Sequence, residues 1–343
     1  MNISILLPYK ENFSPDYPGA VSLFVYETSR ISKYKKNITV FGNTNFTNTF
    51  NLKYVNINLK KDVFTSQTKL YVNKFINLER KYKSTIIEIH NRPSYIHILH
   101  SNLKNRILTL YFHNDPLSMD GSKSIEQRKK LLKCCYKIIF NSAWSKKRFL
   151  EGLENKFVNS NKLLIIYQSA KKNNLSIIKH KKKWITFVGK LNKAKGYDIF
   201  AKSIVKVLDK YPDWKAMIIG DEKREKIILN HKNASILGFK QHNEVLKIFK
   251  KTSITVACSR WEEPFGRTSL EASANGCAVI ITNKGGLPET VTDAKIIDNL
   301  NEKNLTKNII SLIENKTLRK KLQSLSIQNF YLTHKFVSNN IDN

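Results

Sequence analysis

Long apolar stretches are missing from this sequence of 343 residues. Its apolar runs end well short of the roughly 20 residues that a membrane-spanning helix needs, so no such helix is predicted. The run at 3–7, near the amino terminus, is too short for the apolar core of a signal peptide and predicts a β-strand instead. We therefore expect a cytoplasmic protein, and peripheral contact with the inner face of the membrane stays open.

Cysteine is also scarce, with four residues in the chain. Cys134 and Cys135 are adjacent, whereas Cys258 and Cys277 stand alone. Adjacent cysteines do not normally pair with each other, and the spacing fits no zinc-site pattern. We expect four reduced thiols that serve as packing residues, and no metal site.

Acidic residues are few: 27 Asp and Glu stand against 59 Lys and Arg, which gives a formal net charge of +32. Such a charge suits nucleic acid or an anionic membrane surface. Only ten of the basic residues are arginine, whereas specific readers of bases and phosphates rely on the arginine fork. No specific nucleic-acid partner is expected. The lysine excess is either a compositional bias or a membrane-facing charge, for which the basic run at 122–150 is the candidate.

The length predicts two domains. Over 1–167, short apolar runs alternate with amphipathic stretches, which is typical of a doubly wound parallel α/β sheet. The predicted strands lie at 3–7, 38–41, 54–57, 86–89, 107–112, 137–141 and 163–167. Segment 168–183 is rich in lysine and asparagine and lacks a helical period, so we predict a linker. A second domain of the same class follows at 184–324. The last helix, at about 325–343, packs either with this second domain or back on the first domain.

The stretch 261–290 carries the densest chemistry of the chain. Glu263 and Glu271 flank a turn at 264–266 and the start of a predicted helix at 267–275. A helix N-terminus offers free N–H groups and a positive dipole end, which suit a phosphate. Carboxylates accept hydrogen bonds from sugar hydroxyls. A ligand with phosphates between two sugars, a nucleotide sugar, satisfies both features.

A second candidate segment begins the second domain. A predicted strand at 184–188 ends in Gly189, which lets the backbone approach a ligand closely. Lys190 and Lys195 then bracket a short loop before a predicted helix at 197–210. Two ammonium groups at these places suit a diphosphate, although solvated lysines are the alternative in a chain so rich in lysine.

Two histidines, His90 and His113, are predicted at the tips of neighbouring strands, and each is followed by asparagine. A lone histidine is more often structural, but two at adjacent strand ends indicate a site, because ligands of such sheets gather beyond the carboxyl ends of strands. Asp115 lies beside His113. Gly19 lies in the turn that follows the first strand, where a ligand loop and a simple turn are equal alternatives.

These segments resemble the retaining family 4 glycosyltransferases, the glycosyl transferases group 1. The resemblance rests on Glu263, seven residues and Glu271, with Pro-Phe-Gly inside and Gly-Gly-Leu-Pro-Glu after them, and on the Gly-Lys-Leu and Lys-Gly frame around Lys195. It implies the GT-B architecture, in which two Rossmann-like domains face each other across a cleft. It also implies retention of anomeric configuration. The family usually has arginine where this chain has Lys190, and a glycine-rich loop where only Gly19 stands.

The resemblance also implies roles for single residues. Glu263 binds hydroxyls of the transferred sugar, and Glu271 binds the nucleotide ribose. Lys195, together with Lys190, holds the diphosphate, and His113 orients the donor sugar or assists at the acceptor. His113, Glu263 and Lys195 are the expected catalytic residues. Further donor-binding residues are expected at Gly19, Gly189, Gly220, Gly238, Phe239, Phe265, Gly266, Arg267 and Thr268, and acceptor-side residues at His90 and Asp115.

The expected reaction moves a sugar from a nucleotide-diphosphate sugar to a glycan or lipid-linked acceptor, in cell-envelope polysaccharide or lipopolysaccharide assembly. The chain has no Asp-x-Asp pair, the pattern that holds a divalent metal in the other large glycosyltransferase fold. We therefore expect metal-independent transfer without a cofactor besides the donor substrate. The alternatives are a nucleotide-sugar epimerase of GT-B fold, which needs no acceptor, and a basic nucleic-acid-binding protein.

Overall fold

The computed structural model describes residues 1–59, 66–157 and 160–343. The chain divides into two compact units. The first comprises Met1–Ser169 together with His334–Asn343, and the second comprises Ala170–Thr333. Each unit is an α/β sandwich built on one parallel sheet, as the alternation of apolar runs and amphipathic stretches predicts.

Seven strands form the sheet of the first unit in the order β3-β2-β1-β4-β5-β6-β7. The strands are β1 (Ile3–Leu6), β2 (Ile38–Gly42), β3 (Tyr54–Asn56), β4 (Ile86–His90), β5 (Ile107–Phe112), β6 (Lys137–Phe140) and β7 (Leu163–Ile165). The helices are α1 (Ala20–Ser29), α2 (Gln67–Tyr82), α3 (Ser94–Asn102), α4 (Ile125–Cys134), α5 (Ala143–Leu150) and α11 (His334–Asp342). All seven strands coincide with the predicted apolar runs to within two residues at either end, because each run is bounded by polar residues or turns.

Burial of one helix face against the sheet holds the first unit together. Helix α2 begins at Ser66, whose hydroxyl accepts the N–H of Lys69, and it buries Tyr71, Val72 and Phe75 in the core beneath the strands. Each such side chain contributes about 2–3 kcal/mol when it is fully removed from water. The strand ends that carry the candidate histidines therefore rest on a rigid base.

Six strands form the sheet of the second unit in the order β10-β9-β8-β11-β12-β13. They are β8 (Lys182–Val188), β9 (Lys215–Ile219), β10 (Ala234–Ile236), β11 (Thr252–Ala257), β12 (Ala278–Thr282) and β13 (Ala294–Ile297). The helices are α6 (Tyr197–Lys210), α7 (His242–Lys251), α8 (Arg267–Ala274), α9 (Glu302–Glu314) and α10 (Lys316–Gln328). Strand β8 has β9 on one side and β11 on the other, so the strand order reverses there and leaves a crevice at the carboxyl ends.

The segment predicted as a linker, 168–183, differs in the structure. From Ala170 onward it belongs to the second unit, where Leu175–His180 forms a 3-10 helix and β8 begins at Lys182. The ammonium of Lys181 donates to the carbonyl oxygens of Phe249 and Asn275 at 2.9 and 2.6 Å. Hydrogen bonds of this kind order a segment whose composition alone has no structural period.

The carboxyl-terminal region also departs from expectation. The sequence indicates a helical tail from residue 305 to about 331, and the structure divides that tail in two: α9 ends at Glu314, and the side chain of Asn315 caps a new helix, α10. Helix α11 packs with the first unit, where Ser338 donates to the carbonyl oxygen of Thr28 at 3.0 Å. None of the helices within the described residues combines the length and apolar character that crossing a bilayer requires. The four cysteines, all within the described part of the chain, are free thiols.

Candidate functional site: a pocket at the carboxyl edge of the second sheet

A pocket of about 220 Å³ opens in the second unit at the carboxyl ends of β8 and β11, where the strand order reverses. Six residues that the sequence singled out line it: Gly189, Lys195, Glu263, Gly266, Arg267 and Thr268. Leu287 of the Gly-Gly-Leu-Pro-Glu motif lines it too, as do Val188, Ala257 and Ser259, which the sequence did not single out. The two motif segments therefore meet in one pocket, as the crevice rule for parallel sheets leads one to expect.

Glycines shape the rim of the pocket by close backbone contact. Gly220 has φ +130°, and a Cβ there would lie 1.8 Å from the carbonyl oxygen of Gly189. The two loops that follow β8 and β9 are therefore in direct backbone contact at these glycines. The N–H of Gly220 donates to the carbonyl oxygen of Gly238 at 2.9 Å, which adds the loop after β10 to the same layer. Three predicted glycines thus lie side by side.

Lys195 is positioned by the turn before α6. The side chain of Asn192 accepts the N–H of Lys195 at 3.1 Å, and Gly196 follows with φ +71°. A Cβ at Gly196 would lie 1.9 Å from the carbonyl oxygen of Cys258, so this turn presses directly on the end of β11. The ammonium of Lys195 lies 2.5 Å from Oε1 of Glu263. Two predicted catalytic groups of opposite charge therefore form an ion pair in the pocket.

Glu263 is held by the Gly-Gly-Leu-Pro-Glu loop. The N–H of Gly286 donates to the carbonyl oxygen of Glu263 at 2.6 Å, and a Cβ at Gly285 would lie 2.2 Å from that oxygen. Gly266 then begins α8 with φ +120°, a conformation in which a side chain is strained. The first turn of α8 consequently lines the same pocket as Glu263 and Lys195.

Glu271 lies one turn inside α8 and is almost fully buried. Its Oε1 accepts the Nε–H of Arg267 at 2.5 Å and contacts Nε2 of His242 at 2.8 Å. Burial alone would raise the pKa of the Glu271 carboxyl, but Arg267 and His242 outweigh that effect and hold the pKa below its ordinary value. Glu271 is therefore an ionised, oriented hydrogen-bond acceptor. His242, the first residue of α7, is a functional residue that sequence reasoning missed, because nothing in the spacing links positions 242 and 271.

The other predicted donor-binding residues of this unit have varied surroundings. Lys190 is exposed and does not line the pocket. Gly238 has φ +66° and open space around it, and Phe239 is about half exposed. Phe265 is buried under the turn, and the hydroxyl of Thr268 lies 3.4 Å from the carbonyl oxygen of Val188. Six predicted donor-binding residues of this unit thus lie outside the pocket lining: Lys190, Gly220, Gly238, Phe239, Phe265 and Glu271.

In the first unit, the structure brings the two histidines together. Nδ1 of His90 lies 3.0 Å from Nε2 of His113, and both side chains are buried. Asn91 has φ +56°, and its side-chain oxygen accepts the N–H groups of His113 and Asn114, both at 3.2 Å. The asparagine that follows His90 therefore ties the end of β4 to the end of β5 and fixes the histidine pair.

Asp115 and Gly19 have structural partners in the same unit. The carboxylate of Asp115 pairs with Arg148 at 3.1 Å and accepts the N–H of Leu117. Gly19 precedes α1, and the first turn of that helix donates the N–H of Ser22 to Oε1 of Glu11 at 2.8 Å. The N-terminus of α1 therefore already holds a carboxylate of this chain.

Among the described residues, no group of three His, Cys, Asp or Glu side chains is arranged to hold a metal ion. The positive groups that line the pocket together with Glu263 are Lys195, which pairs with it, Arg267, which pairs with Glu271, and the N-terminus of α8. Such a set can stabilise an anionic leaving group by preorganised charge.

Comparisons with known proteins fit this arrangement. Residues 169–328 match the family described as glycosyl transferases group 1. The chain is 25% identical to spore coat protein SA of Bacillus subtilis over 277 residues, which are 72% of this chain and 74% of that protein. It is 31% identical to the lipopolysaccharide core biosynthesis mannosyltransferase LpsB of Rhizobium meliloti over 121 residues, 32% of this chain and 34% of LpsB. The HepE protein of Anabaena, solved in complex with UDP and glucose, superposes with a TM-score of 0.74 at 17% identity, covering 99% of this chain and 98% of that one.

Proposed function

We propose that this chain, a GT-B glycosyltransferase whose residues 169–328 belong to the glycosyl transferases group 1 family, takes its sugar from a nucleotide-diphosphate sugar bound in the pocket of the second unit. One observation carries the proposal: an ammonium, a carboxylate and a helix N-terminus lie side by side in a pocket at the strand-order reversal. These are the three groups that a sugar joined to a diphosphate needs.

In the proposed reaction, the bond between the sugar and the diphosphate breaks, and the diphosphate leaves with its electrons. Lys195 and the first N–H groups of α8 receive the growing negative charge, and Lys190 reaches the outer phosphate from the rim. This is stabilisation by charges that are already in place. The sugar passes through a state that resembles an oxocarbenium ion. Because the chain supplies the cations, we propose transfer without a metal ion or another cofactor.

Two carboxylates hold the ends of the donor in this proposal. Glu263 accepts hydrogen bonds from hydroxyls of the transferred sugar, and Glu271 accepts them from the nucleotide ribose. The proposed contact of Glu271 with the ribose is supported by the ionised state of its carboxylate, which Arg267 and His242 stabilise. His113 orients the donor sugar or assists at the acceptor. We further propose retention of the anomeric configuration, as the motif resemblance implies.

The proposed acceptor is a glycan or a lipid-linked glycan of cell-envelope polysaccharide or lipopolysaccharide. The name of LpsB supports a lipopolysaccharide acceptor for this chain, since that relative is a lipopolysaccharide core mannosyltransferase. The net charge of +32 supports peripheral contact with anionic lipid at the cytoplasmic face of a membrane. Gly19, Asp115 and His90 are proposed to border the donor or the acceptor from the first unit.

The test is thermal unfolding of the full chain with a panel of nucleoside diphosphates and nucleotide sugars, UDP-sugars first because HepE was solved with UDP. A ligand at about 100 times its dissociation constant stabilises a protein by ~2.7 kcal/mol. We expect one nucleotide to raise the melting temperature of wild type but not of Glu271→Ala. Glu314→Gln, which changes an exposed carboxylate at the end of α9, is the matched control and should keep the shift.

Product analysis then separates the reactions. Transfer predicts nucleoside diphosphate release that depends on an added glycan or lipid-linked acceptor. A changed nucleotide sugar formed without any acceptor would instead establish an epimerase. No shift with any nucleotide, together with RNA binding that falls steeply with salt, would overturn the proposal in favour of a nucleic-acid-binding protein.

A further inference from the structure

Four ring and carboxyl groups form a ladder on one face of the first sheet. Glu88 and His90 are two residues apart on β4, so their side chains lie on the same face, and Tyr111 and His113 have the same spacing along and just beyond β5. The register pairs His90 with Tyr111, and their rings stack at 4.4 Å with 12° between the planes. Within this ladder, the carboxyl group of Glu88 and the rings of His90 and His113 follow one another in a row, and each can carry a proton.

Two contacts join this row. Nδ1 of His90 lies at hydrogen-bond distance from Nε2 of His113, at 3.0 Å, and Oε2 of Glu88 lies next to Nε2 of His90 at the longer distance of 3.5 Å. Nε2 of His90 and Nδ1 of His113 are both buried and have no hydrogen-bond partner among the described residues. The facing nitrogens of the two rings are therefore paired, and the outer nitrogen of His90 has the Glu88 carboxyl as its neighbour.

We propose that Glu88, His90 and His113 form a proton relay, in which the protonation of Glu88 decides whether Nδ1 of His113 accepts or donates a hydrogen bond. The ring chemistry requires this coupling, because a neutral imidazole has one N–H and one acceptor nitrogen. An ionised Glu88 accepts from Nε2–H of His90, whose Nδ1 then accepts from Nε2–H of His113. Nδ1 of His113 is left as an acceptor. A protonated Glu88 reverses every step, and Nδ1 of His113 becomes a donor.

The electrostatics of the site support the proposal. Burial raises the pKa of Glu88 to about 7, while the hydrogen bond from Tyr111 opposes that rise and the charge of Asp342 adds to it. Burial lowers the pKa of His90 to about 3, and burial and then His90 lower the pKa of His113 well below its ordinary value. Both rings therefore stay neutral near pH 7, where Glu88 gains or loses its proton.

Glu88 also has access to water. It lines a cavity of about 420 Å³ in the first unit, between the sheet face and helices α1 and α11. Other titratable side chains around this cavity are Tyr34, Tyr111, Tyr136, Lys137 and Asp342. A cavity of this size with polar groups in its wall has room for water molecules. The relay thus joins this cavity to the tip of the sheet.

The use of the proton relay in sugar transfer rests on the proposed function, in which His113 is the histidine that contacts the reacting sugars. The acceptor hydroxyl gives its proton to Nδ1 of His113 while its oxygen bonds to the sugar carbon. The Nε2 proton of His113 passes to His90, and the Nε2 proton of His90 passes to the Glu88 carboxylate. The diphosphate leaves with the electron pair of the broken bond, and Glu88 later releases its proton to the cavity. Glu88 and His90 are positioning residues in this scheme.

Nitrogen-15 NMR of the histidine-labelled full chain tests the relay without any substrate. Between pH 5.5 and 8.5, we expect the Nδ1 and Nε2 signals of His113 to exchange their protonated and unprotonated character, with a midpoint at about pH 7. Glu88→Gln should abolish that change. Thr109→Val alters a side chain in the wall of the same cavity outside the relay and should keep it.

His90→Phe is the second variant, because phenylalanine keeps a ring beside Tyr111 and has no nitrogen. It should also fix the His113 tautomer at every pH. A His113 tautomer that is constant in wild type, or that still changes in both folded variants, overturns the relay. The pH profile of kcat separates the hypothesis of a proton relay from the hypothesis that His113 takes part in sugar transfer. If the tautomer switches near pH 7 while the profile of Glu88→Gln matches wild type, the relay stands and the role of His113 in transfer falls.

Discussion

Replacing Lys195 with methionine removes one positive charge from the pocket and keeps the length of the side chain. In the structure this ammonium lies 2.5 Å from Glu263, with 35% of the lysine side chain and 12% of the glutamate side chain exposed. An ion pair that is partly solvated contributes about 1 kcal/mol to stability. The loss of one preorganised charge at a leaving group lowers kcat by about 10²–10³, which is ~2.7–4 kcal/mol in the transition state.

We therefore expect Lys195→Met to lose most of its turnover while its urea-unfolding midpoint moves little. The assay is nucleoside diphosphate release at a saturating concentration of the donor found by thermal unfolding. Lys193→Met is the matched control, since Lys193 lies in the same 3-10 turn but is exposed. Turnover of Lys195→Met close to wild type would refute the assignment of this ammonium to the leaving diphosphate.

Two further predictions concern the frame of the pocket. His242→Phe removes one of the two donors that fix the Glu271 carboxylate, so we expect the nucleotide dissociation constant to rise about tenfold, or ~1.4 kcal/mol, by isothermal calorimetry. Gly220→Ala places a Cβ 1.8 Å from a carbonyl oxygen at φ +130°, and we expect urea unfolding to show a loss of about 3 kcal/mol. Gly238→Ala, with open space at φ +66°, should lose only about 1 kcal/mol.

Each of these has an outcome that contradicts it. Unchanged nucleotide affinity in His242→Phe would mean that Arg267 alone orients Glu271. Equal losses of stability in Gly220→Ala and Gly238→Ala would mean that the contact between the loops after β8 and β9 is not a steric constraint.

The strands were predictable because buried parallel strands are continuous apolar runs with polar ends. The two edge strands of the second sheet, β10 (Ala234–Ile236) and β13 (Ala294–Ile297), are the exceptions, because they are only partly buried and their apolar runs are short and mixed. The break at Asn315 was missed for a different reason. Apolar residues continue at helical spacing on both sides of it, and only the hydrogen bond from the N–H of Leu318 to its side chain marks the new helix.

The sequence predicted several residues that line the pocket but not the contacts between them. Glu263, Lys195 and Gly266 stood out because their neighbours form motifs, and they do line one pocket. Long-range contacts have no local signal. Neither the ion pair across 68 residues nor the link between His242 and Glu271 follows from spacing. Lys190 is the opposite case: it stands in a motif, but its side chain is exposed at the surface.

Under the proposed function, the ion pair between Lys195 and Glu263 makes donor binding an exchange inside the protein. A phosphate that reaches the ammonium takes the place of a resident carboxylate, and that carboxylate becomes free for a sugar hydroxyl. The net affinity is then the difference between two attractions, and few counterions leave the pocket, so donor affinity should depend only weakly on salt. When the sugar has been transferred, Glu263 loses its hydroxyl partners and competes again for Lys195. In this proposed cycle, the same pair helps to release the spent nucleotide and returns the pocket to its state before donor binding.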